Sequence, residues 1–441
     1  MVNKSINTLQ FEKTSAKSLP FDAHLIKAIL ICLFSIATII LDKNGIFCSI
    51  TSIILAFWLA FRYRRYPMLF IVFLLFGYCN YSFFIGNFVS PESAFDYSFD
   101  KNNELLIISS KVTFLFQSCL FLFLRKKPSK RKPLTVNRSA LISTNMENKG
   151  NATLALILLA LIVGIWFLFY RFSFGSRSNY SPIYEYSVIL FIFAFYFSGN
   201  TKALRFATLF LALFYVIFDF LGGNRSTGIQ IMLVTALSCF YEKLTWKRIL
   251  LAAFLAMLLI NTVALFRSGG SFSLSNISFS GIVSQFIESK FVSDTASWSY
   301  YTSNVFLYAR LHFTAGQLLV QFVQFIASQF VVGSVGRSVT DIALDYHYHY
   351  YGGVLPIYLY YYLGYSGVVL IALLCAKYLN VIIDFNPSKK DWKYIFAIYI
   401  ISTSFRWYLY SPNQLIRGTI LLFVVYWILK RLSKSISRKI A

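Results

Sequence analysis

The sequence predicts an all-α, polytopic integral membrane protein with about twelve transmembrane helices. Of its 441 residues, 57% are hydrophobic and only 13% are charged, and the mean hydropathy is +0.63. So few charges cannot cover the surface of a water-soluble domain of this length. In addition, the apolar residues fall into runs near the roughly 20 residues that a helix needs to cross a bilayer. These observations place the chain in a membrane.

Twelve apolar runs define the predicted spans. They are residues 25–42, 45–61, 67–87, 105–124, 152–170, 185–198, 204–221, 227–241, 249–266, 353–376, 393–410 and 415–430. Lys and Arg concentrate in alternate junctions, such as 125–132 and 430–439, and the positive-inside rule assigns these junctions and both termini to the cytoplasm. The other junctions are short or acidic and are predicted to face outward.

This alternation predicts the organisation of the whole chain. We expect a cytoplasmic N-terminal tail (1–24), spans one to nine (25–266), one large outer loop (267–352), spans ten to twelve (353–430) and a cytoplasmic tail (431–441). Within the loop, residues 305–332 are apolar enough to span, but Arg, His and Gln recur through them. An amphipathic helix at the interface, or re-entrant helices packed on the bundle, explains that mixture better than a further span.

Charge and cysteine usage exclude several classes of function. The formal net charge of +24 is typical of nucleic-acid binding in a soluble protein, but cytoplasmic Lys and Arg are the expected retention signal in a membrane protein, so no nucleic-acid partner is predicted. The six cysteines lie inside apolar runs without CxxC or CxxH spacing, which argues against disulfides and a zinc site. The dispersed acids of the loop do not form a metal-binding pattern, and no cofactor is predicted.

The predicted outer face is unusually rich in arginine, a residue that the positive-inside rule disfavours there. Arginine binds phosphate through two parallel hydrogen bonds and keeps its charge at all accessible pH values. The sequence therefore predicts a site for a pyrophosphate group, although each of these arginines could instead extend to lipid headgroups. The candidates are Arg177, Arg225, Arg267, Arg310, Arg337, Arg406 and Arg417.

Two of these arginines are the strongest candidates. Arg225 lies in the segment Phe220-Leu-Gly-Gly-Asn-Arg-Ser226, where the glycines allow a ligand to approach the backbone at a helix end. Arg406 lies in the apolar run Ser404-Phe-Arg-Trp407, and a cation in such a run needs a partner.

Three of the four histidines lie in the predicted outer loop and are candidates for a catalytic base. They are His312, His347 and His349. His347 and His349 are two positions apart, so in an extended segment they would point the same way, although a structural role for either is equally compatible with the pattern. Tyr351 beside them is a candidate for stacking on a sugar ring, with an interfacial aromatic belt as the alternative.

These segments resemble the Wzy-type O-antigen polymerases, also called oligosaccharide repeat-unit polymerases. The resemblance lies in the Arg177 region, in Gly222-Gly-Asn-Arg-Ser226 at the outer end of a span, and in the segment from His349 to Tyr358 that leads to Gly364-Tyr-Ser-Gly367. One pattern of that family, an Arg followed eleven positions later by Gly, is absent from this chain.

The resemblance implies a metal-independent glycosyltransferase of the bacterial inner membrane that acts on the periplasmic side, where the large loop would lie. It would transfer a growing glycan from undecaprenyl pyrophosphate to a second lipid-linked repeat unit, in the synthesis of lipopolysaccharide O-antigen or a related polysaccharide. The arginines would hold the pyrophosphate, and His347 or His349 would accept the proton. The implied partners are the lipid-linked oligosaccharide, membrane lipids and a chain-length regulator.

Two other functions remain open. An O-antigen ligase would use the same donor with a different acceptor, lipid A core. A flippase for the lipid-linked unit would be expected to show internal symmetry between its halves and interrupted helices at matching positions. One oversized loop breaks that symmetry in this sequence.

Overall fold

A computed structural model describes residues 21–85, 88, 103–125, 145–171, 179–180, 182–199, 201–222, 225–256, 294–331, 335–349, 352–385 and 391–440. Nearly all regular structure in these residues is helical, which confirms the predicted all-α class. The sheet in the described part is one antiparallel pair of two-residue strands, β1 (Tyr170–Arg171) and β2 (Asn179–Tyr180).

The N-terminal half of the chain contains ten described helices. They are α1 (Phe21–Leu41), α2 (Ile46–Arg62), α3 (Pro67–Phe84), α4 (Asn103–Phe123), α5 (Asn145–Phe169), α6 (Pro182–Glu185), α7 (Ser187–Ser198), α8 (Lys202–Leu221), α9 (Arg225–Cys239) and α10 (246–256). These helices follow the first nine predicted spans, with α6 as an additional short turn before α7. Residues 257–266 of the ninth predicted span lie outside the described residues.

The C-terminal half is more broken. Its described helices are α11 (Asp294–Arg310), α12 (Ala315–Ser328), α13 (Val339–Ala343), α14 (Leu355–Leu363), α15 (Tyr365–Ile383), α16 (Trp392–Ser402), α17 (Ser404–Leu409) and α18 (Arg417–Ile440). The first three lie within the segment predicted as the outer loop. The mixed segment 305–332 contains the end of α11 and all of α12.

Five described helices are long and apolar enough to cross a membrane: α3, α4 from residue 104, α5 from residue 151, α8 and α15. Large apolar side chains also cover the outside of the bundle, including Phe167, Leu168 and Phe206, each at least 70% exposed. Such a surface is unfavourable in water and is well solvated by acyl chains. The predicted membrane-embedded character is thus supported, while the count of twelve spans and their orientation stay predictions.

Two predicted spans are each divided into two helices. The run 353–376 is interrupted at Gly364, whose φ of 64° ends α14 before α15 begins. The run 393–410 is interrupted at Thr403, where three consecutive hydroxyl side chains bond to backbone carbonyls of the preceding turn, including Thr403 to Tyr399 at 2.7 Å. Such bonds compete with the backbone ladder and commonly bend a helix. Hydropathy alone does not detect either break.

The polar helix α11 is buried in the bundle against α3 and α4. Hydrogen bonds join its side chains to these helices. The Tyr300 hydroxyl donates to the side-chain amide oxygen of Asn80 over 2.7 Å, and the side-chain amide oxygen of Asn304 accepts from the Ser109 hydroxyl over 2.5 Å. A polar helix can be buried when its groups find such partners. This part of the predicted outer loop is consequently an integral part of the helical core.

Candidate anion-binding site

The start of α9 forms the centre of the candidate site. Gly222 ends α8, and the chain resumes as a helix at Arg225. The first backbone N–H groups of a helix have no partner within the helix and carry partial positive charge, so they attract anions. In this first turn Ser226 and Thr227 are buried. The side chain of Arg225 lies outside the described part of the structure, but its backbone begins α9.

Arg406 reaches this helix start from α17. Its Nη1 donates to the hydroxyl of Ser226 over 3.1 Å, and its Nη2 contacts the carboxylate of Glu185. The guanidinium carbon also lies 5.1 Å from the centroid of the Tyr410 ring, within the range of a cation–π contact. Arg406 is thus largely enclosed and has an acidic partner, and it contacts the helix start at which Arg225 lies. A role of these two arginines in binding pyrophosphate stays a prediction.

Glu185 is the charge partner of Arg406 and was not among the predicted site residues. It ends α6, and its side chain is 17% exposed against 13% for Arg406. Removing two charges from water is costly unless their geometry is good. Glu185 and Arg406 form a nearly enclosed ion pair that also contacts a helix N-terminus. An anionic ligand can replace the Glu185 carboxylate at the guanidinium.

A second carboxylate lies against the same helix start. Asp219, on α8, is fully buried and accepts a hydrogen bond from the Tyr184 hydroxyl over 3.0 Å. Its other oxygen, Oδ2, has no hydrogen-bond partner among the residues that the structure describes. A methyl group placed on Gly228 in α9 would lie 3.7 Å from this oxygen. Asp219 therefore faces the first turns of α9, next to Gly228, which is two positions after Ser226.

The other described arginine candidates contact different elements. Arg310 donates to the backbone carbonyls of Tyr360 and Tyr361 in the last turn of α14. Arg417 donates to the carbonyl of Ser328 at the end of α12. Both interactions satisfy carbonyl oxygens at the negative end of a helix. The structure thus gives each of these two arginines a visible role in holding a helix end.

Arg337 precedes α13 and forms an exposed ion pair with Asp345, which follows that helix. Its two terminal nitrogens lie 2.6 and 2.9 Å from the carboxylate oxygens of Asp345, and Nη2 also donates to the Asp341 carbonyl. The adjacent guanidinium lowers the pKa of Asp345 below its ordinary value. This bidentate pair closes the turn around α13. Arg177, Arg267 and Tyr351 lie outside the described residues.

The three candidate histidines occupy different environments around α11 and α13. His349 is buried, with Nε2 3.0 Å from the Thr340 carbonyl oxygen. Nε2 must therefore carry the proton, and Nδ1 is the nitrogen able to accept one. Burial lowers the pKa of His349, so its neutral form is favoured. His312 is exposed and stacks on Tyr346 with ring centroids 4.6 Å apart, and His347 lies 6.3 Å from the Tyr301 ring.

A chain of contacts connects the His349 segment to the Arg406 region. The Thr340 hydroxyl lies 3.0 Å from the Tyr358 hydroxyl, which is also 3.1 Å from the Tyr410 carbonyl oxygen. The Gly353 N–H donates to the Leu409 carbonyl over 3.1 Å. The segment with two histidines is therefore attached to the end of α17, the helix that carries Arg406.

The two carboxylates could have been found in the sequence. An acid within an apolar run is costly in a bilayer and is by default a candidate functional residue. Asp219 lies in the predicted span 204–221, and Glu185 begins the predicted span 185–198. Their distance from Arg406 along the chain hides the grouping, which depends on how α6, α8, α9 and α17 pack.

No group of three or more His, Cys, Asp or Glu side chains suited to a metal ion occurs within the described residues. Comparison of the chain with family models, curated proteins and solved structures finds no match.

Proposed function

We propose that the protein is an oligosaccharide repeat-unit polymerase that binds a lipid-linked pyrophosphate at the start of α9. The observation that supports this most is the contact of Arg406 with Ser226 in the first turn of that helix. A guanidinium and the N-terminus of a fifteen-residue helix together provide hydrogen-bond donors and positive charge for an anion. Arg225, at the same turn, adds a second cation.

The proposed reaction is the transfer of a glycan between two lipid carriers. A hydroxyl oxygen of the acceptor repeat unit attacks the anomeric carbon of the donor glycan. The bond from that carbon to the pyrophosphate oxygen breaks, and undecaprenyl pyrophosphate leaves with the electron pair. The hydroxyl proton passes to a base of the protein. Fixed positive charge from Arg406 and the helix start stabilises the charge that develops on the leaving group.

Glu185 has a specific place in this proposal. Without ligand, it neutralises Arg406 and keeps the guanidinium in position. A pyrophosphate that binds Arg406 would replace the carboxylate, and the released Glu185 would then be available to accept a proton. His347 and His349 remain predicted bases, so the proposal has a carboxylate and a histidine candidate that substitutions can separate.

The arrangement in the membrane is part of the proposal. Twelve spans in the bacterial inner membrane, with both termini cytoplasmic and the predicted loop at the periplasmic face, would give the site access to substrates on that side. A chain-length regulator is a proposed partner.

Cellular tests separate polymerase from its alternatives. Deletion of the gene in the strain that carries it should remove all lipopolysaccharide bands above core plus one repeat unit on a gel. Loss of every O-antigen band would instead identify a ligase or a flippase. Arg406→Gln should reproduce the deletion pattern at normal protein level, whereas Arg64→Gln, which removes a cation that lies over Phe61, should leave the ladder unchanged.

A binding measurement tests the pyrophosphate assignment directly. Farnesyl pyrophosphate should bind the purified protein, and Arg406→Gln should weaken binding about tenfold or more, since a hydrogen bond to a charged group contributes about 1.5–3 kcal/mol. Glu185→Gln should bind the probe more tightly because the internal competitor is gone. Unchanged affinity in both variants would refute the assignment. Normal chain length in a triple His312, His347 and His349 alanine variant would exclude histidine as the base.

A further inference from the structure

An open groove of about 550 Å³ lies along α12, and its lining residues differ from those that contact Arg406. Its size is within the range of small-molecule sites, about 300–1,000 Å³. The lining residues are Phe313, Gly316, Gln317, Val320, Gln321 and Gln324. Three of these six side chains are amides, and none of the six is charged.

The spacing of the glutamines places them on one face of α12. Positions 317, 321 and 324 are four and three residues apart, so their side chains are neighbours along the helix. A second face, with Leu318, is buried. A third stripe, with Leu319 and Val323, is apolar and more than half exposed. At about 100° per residue, the glutamine face lies about 145° from this apolar stripe, so contact of the stripe with lipid leaves the glutamines pointing away from the acyl chains.

Neighbouring groups hold two of the three glutamines in place. The Gln317 side-chain oxygen accepts from the backbone N–H of Thr314 over 2.9 Å, in a capping box that starts the helix. The Gln321 oxygen accepts from the Tyr361 hydroxyl over 2.7 Å. In both residues the side-chain oxygen is used by the protein, so the NH₂ group is the part best placed to donate to a ligand. Amide donors that hydrogen bonds already hold in position are more typical of a binding site than of a solvated surface.

The chemistry of the lining selects one class of ligand. An anion would find no cation among the described residues that line the groove, and a purely apolar chain would leave the amide groups without hydrogen bonds. A neutral sugar has hydroxyl groups that pair with amides and ring faces that pack on apolar side chains, here Phe313 and Val320.

We propose that this groove binds the uncharged oligosaccharide part of a lipid-linked substrate. That the glycan is part of a lipid-linked substrate rests on the proposed function. That the groove binds a neutral sugar does not. The Arg406 region and the α12 groove would then divide the substrate between them, with charge recognised at one and sugar hydroxyls at the other. A groove of this size takes only a few sugar units, so it would contact a short stretch of the glycan.

Gly316 allows a steric test of the groove. A Cβ atom placed on Gly316 meets nothing within 4 Å, and the same holds for Gly164 in α5. Gly316→Phe should therefore fill the groove without a clash, and Gly164→Phe is the matched control outside it. The probe is the polysaccharide that mild acid releases from the lipopolysaccharide of the strain carrying the gene. The wild type should bind it saturably, Gly316→Phe should weaken binding at least tenfold, and Gly164→Phe should not change it.

A second variant tests the amide chemistry rather than the space. Gln324→Leu keeps a similar volume but removes the donor, and it should also weaken binding of the polysaccharide. Absence of binding by the wild type, or equal binding by the wild type and Gly316→Phe, would overturn the proposal. Co-purified phospholipid that is lost only in Gly316→Phe, together with no polysaccharide binding, would also overturn it and identify a lipid site.

Farnesyl pyrophosphate binding, measured on the same preparations, separates this proposal from the proposed function. If Gly316→Phe loses the polysaccharide but keeps the pyrophosphate, the groove is a glycan site independent of the anion site. If Arg406→Gln leaves pyrophosphate affinity unchanged while Gly316→Phe still loses the polysaccharide, the proposed function fails and the groove stands.

Discussion

Individual arginines serve two different purposes in the described part of the chain. Arg310 and Arg417 each donate to backbone carbonyls at the end of a helix, where a cation is stabilised by the helix dipole. Arg406 instead contacts the beginning of a helix and an acid. The sequence cannot distinguish an arginine that binds carbonyls at the end of a helix from one that contacts the start of a helix, because both roles require a guanidinium near a helix end.

Gly353 is a position where the backbone requires glycine. Its φ is 133°, and an added Cβ would overlap the Phe306 ring and lie 2.7 Å from the Tyr358 ring. We expect Gly353→Ala to lower the free energy of unfolding by about 2 kcal/mol or more, from strain and overpacking together. Thermal unfolding in detergent measures this loss. Gly164→Ala, with open space around the new methyl group, is the control, and an equal effect of both substitutions would contradict the prediction.

His349 should make the stability of the fold depend on pH. Burial lowers its pKa from the ordinary value of 6.5, so the unfolded chain binds the proton at a higher pH than the folded protein does. The contribution of neutral His349 is then complete above pH 6.5 and is lost as the pH falls through the lowered folded-state pKa. The melting temperature should decrease between pH 7.5 and 5.5, and less steeply in His349→Gln, whose amide can still donate to Thr340. Identical slopes would show that another group is responsible.

At the scale of elements, hydropathy predicts where helices occur better than where they break. The nine predicted N-terminal spans correspond to described helices, the ninth as far as residue 256, because each is a continuous apolar run. The breaks at Gly364 and Thr403 depend on backbone conformation and on hydroxyl side chains that bond to the preceding turn, and neither changes the hydropathy of the run. These breaks matter for function, since the second one creates α17 and with it the placement of Arg406.

The burial of α11 shows a different limit of sequence analysis. A helix rich in Ser, Thr, Asn and Tyr is predicted to be exposed, yet most of α11 is buried. Its burial depends on reciprocal partners in α3 and α4, such as Asn80 for Tyr300 and Ser109 for Asn304. One sequence does not show which residues far apart in the chain pair by hydrogen bonds. Apolar packing is easier to predict, because it needs only an apolar face on each of the two helices.

The beginning of α12 provides a prediction for one element. Thr314 and Gln317 form a capping box in which each side chain bonds to the other residue's backbone N–H. Thr314→Ala should destabilise the helix by about 1 kcal/mol, and hydrogen exchange of the first turn of α12 should become faster. Thr314→Ser, which keeps the hydroxyl, should exchange like the wild type. If the first turn of α12 exchanges hydrogen in Thr314→Ala as slowly as in the wild type, packing on α14 alone stabilises the start of α12.

At the scale of the whole molecule, the sequence predicted a helical membrane protein and two arginines that the fold brings to one helix end. The membrane class could be predicted because the free energy of inserting a segment into a bilayer depends on how apolar the segment is. The helix end could be predicted because glycines before an arginine indicate a helix start. The sequence did not identify Glu185 or Asp219, which become neighbours of that site only when four helices pack. The grouping of charges across a bundle is a property of tertiary structure, and a single sequence shows only its members.

The orientation of the bundle is the remaining prediction at this scale. Alternating basic junctions predict that α13 lies on the periplasmic side and the end of α18 on the cytoplasmic side. Ser338 and Ser435 are both exposed, so cysteines at these positions can report on each side, in a background where the exposed Cys32 is replaced by Ser. A membrane-impermeant maleimide should label Ser338→Cys in intact spheroplasts, and Ser435→Cys only after the membrane is permeabilised. The opposite pattern would invert the topology and place the predicted loop in the cytoplasm, where a polymerase of periplasmic glycans could not use it. Labelling of both positions from one side would mean an even number of spans between them, instead of the predicted three.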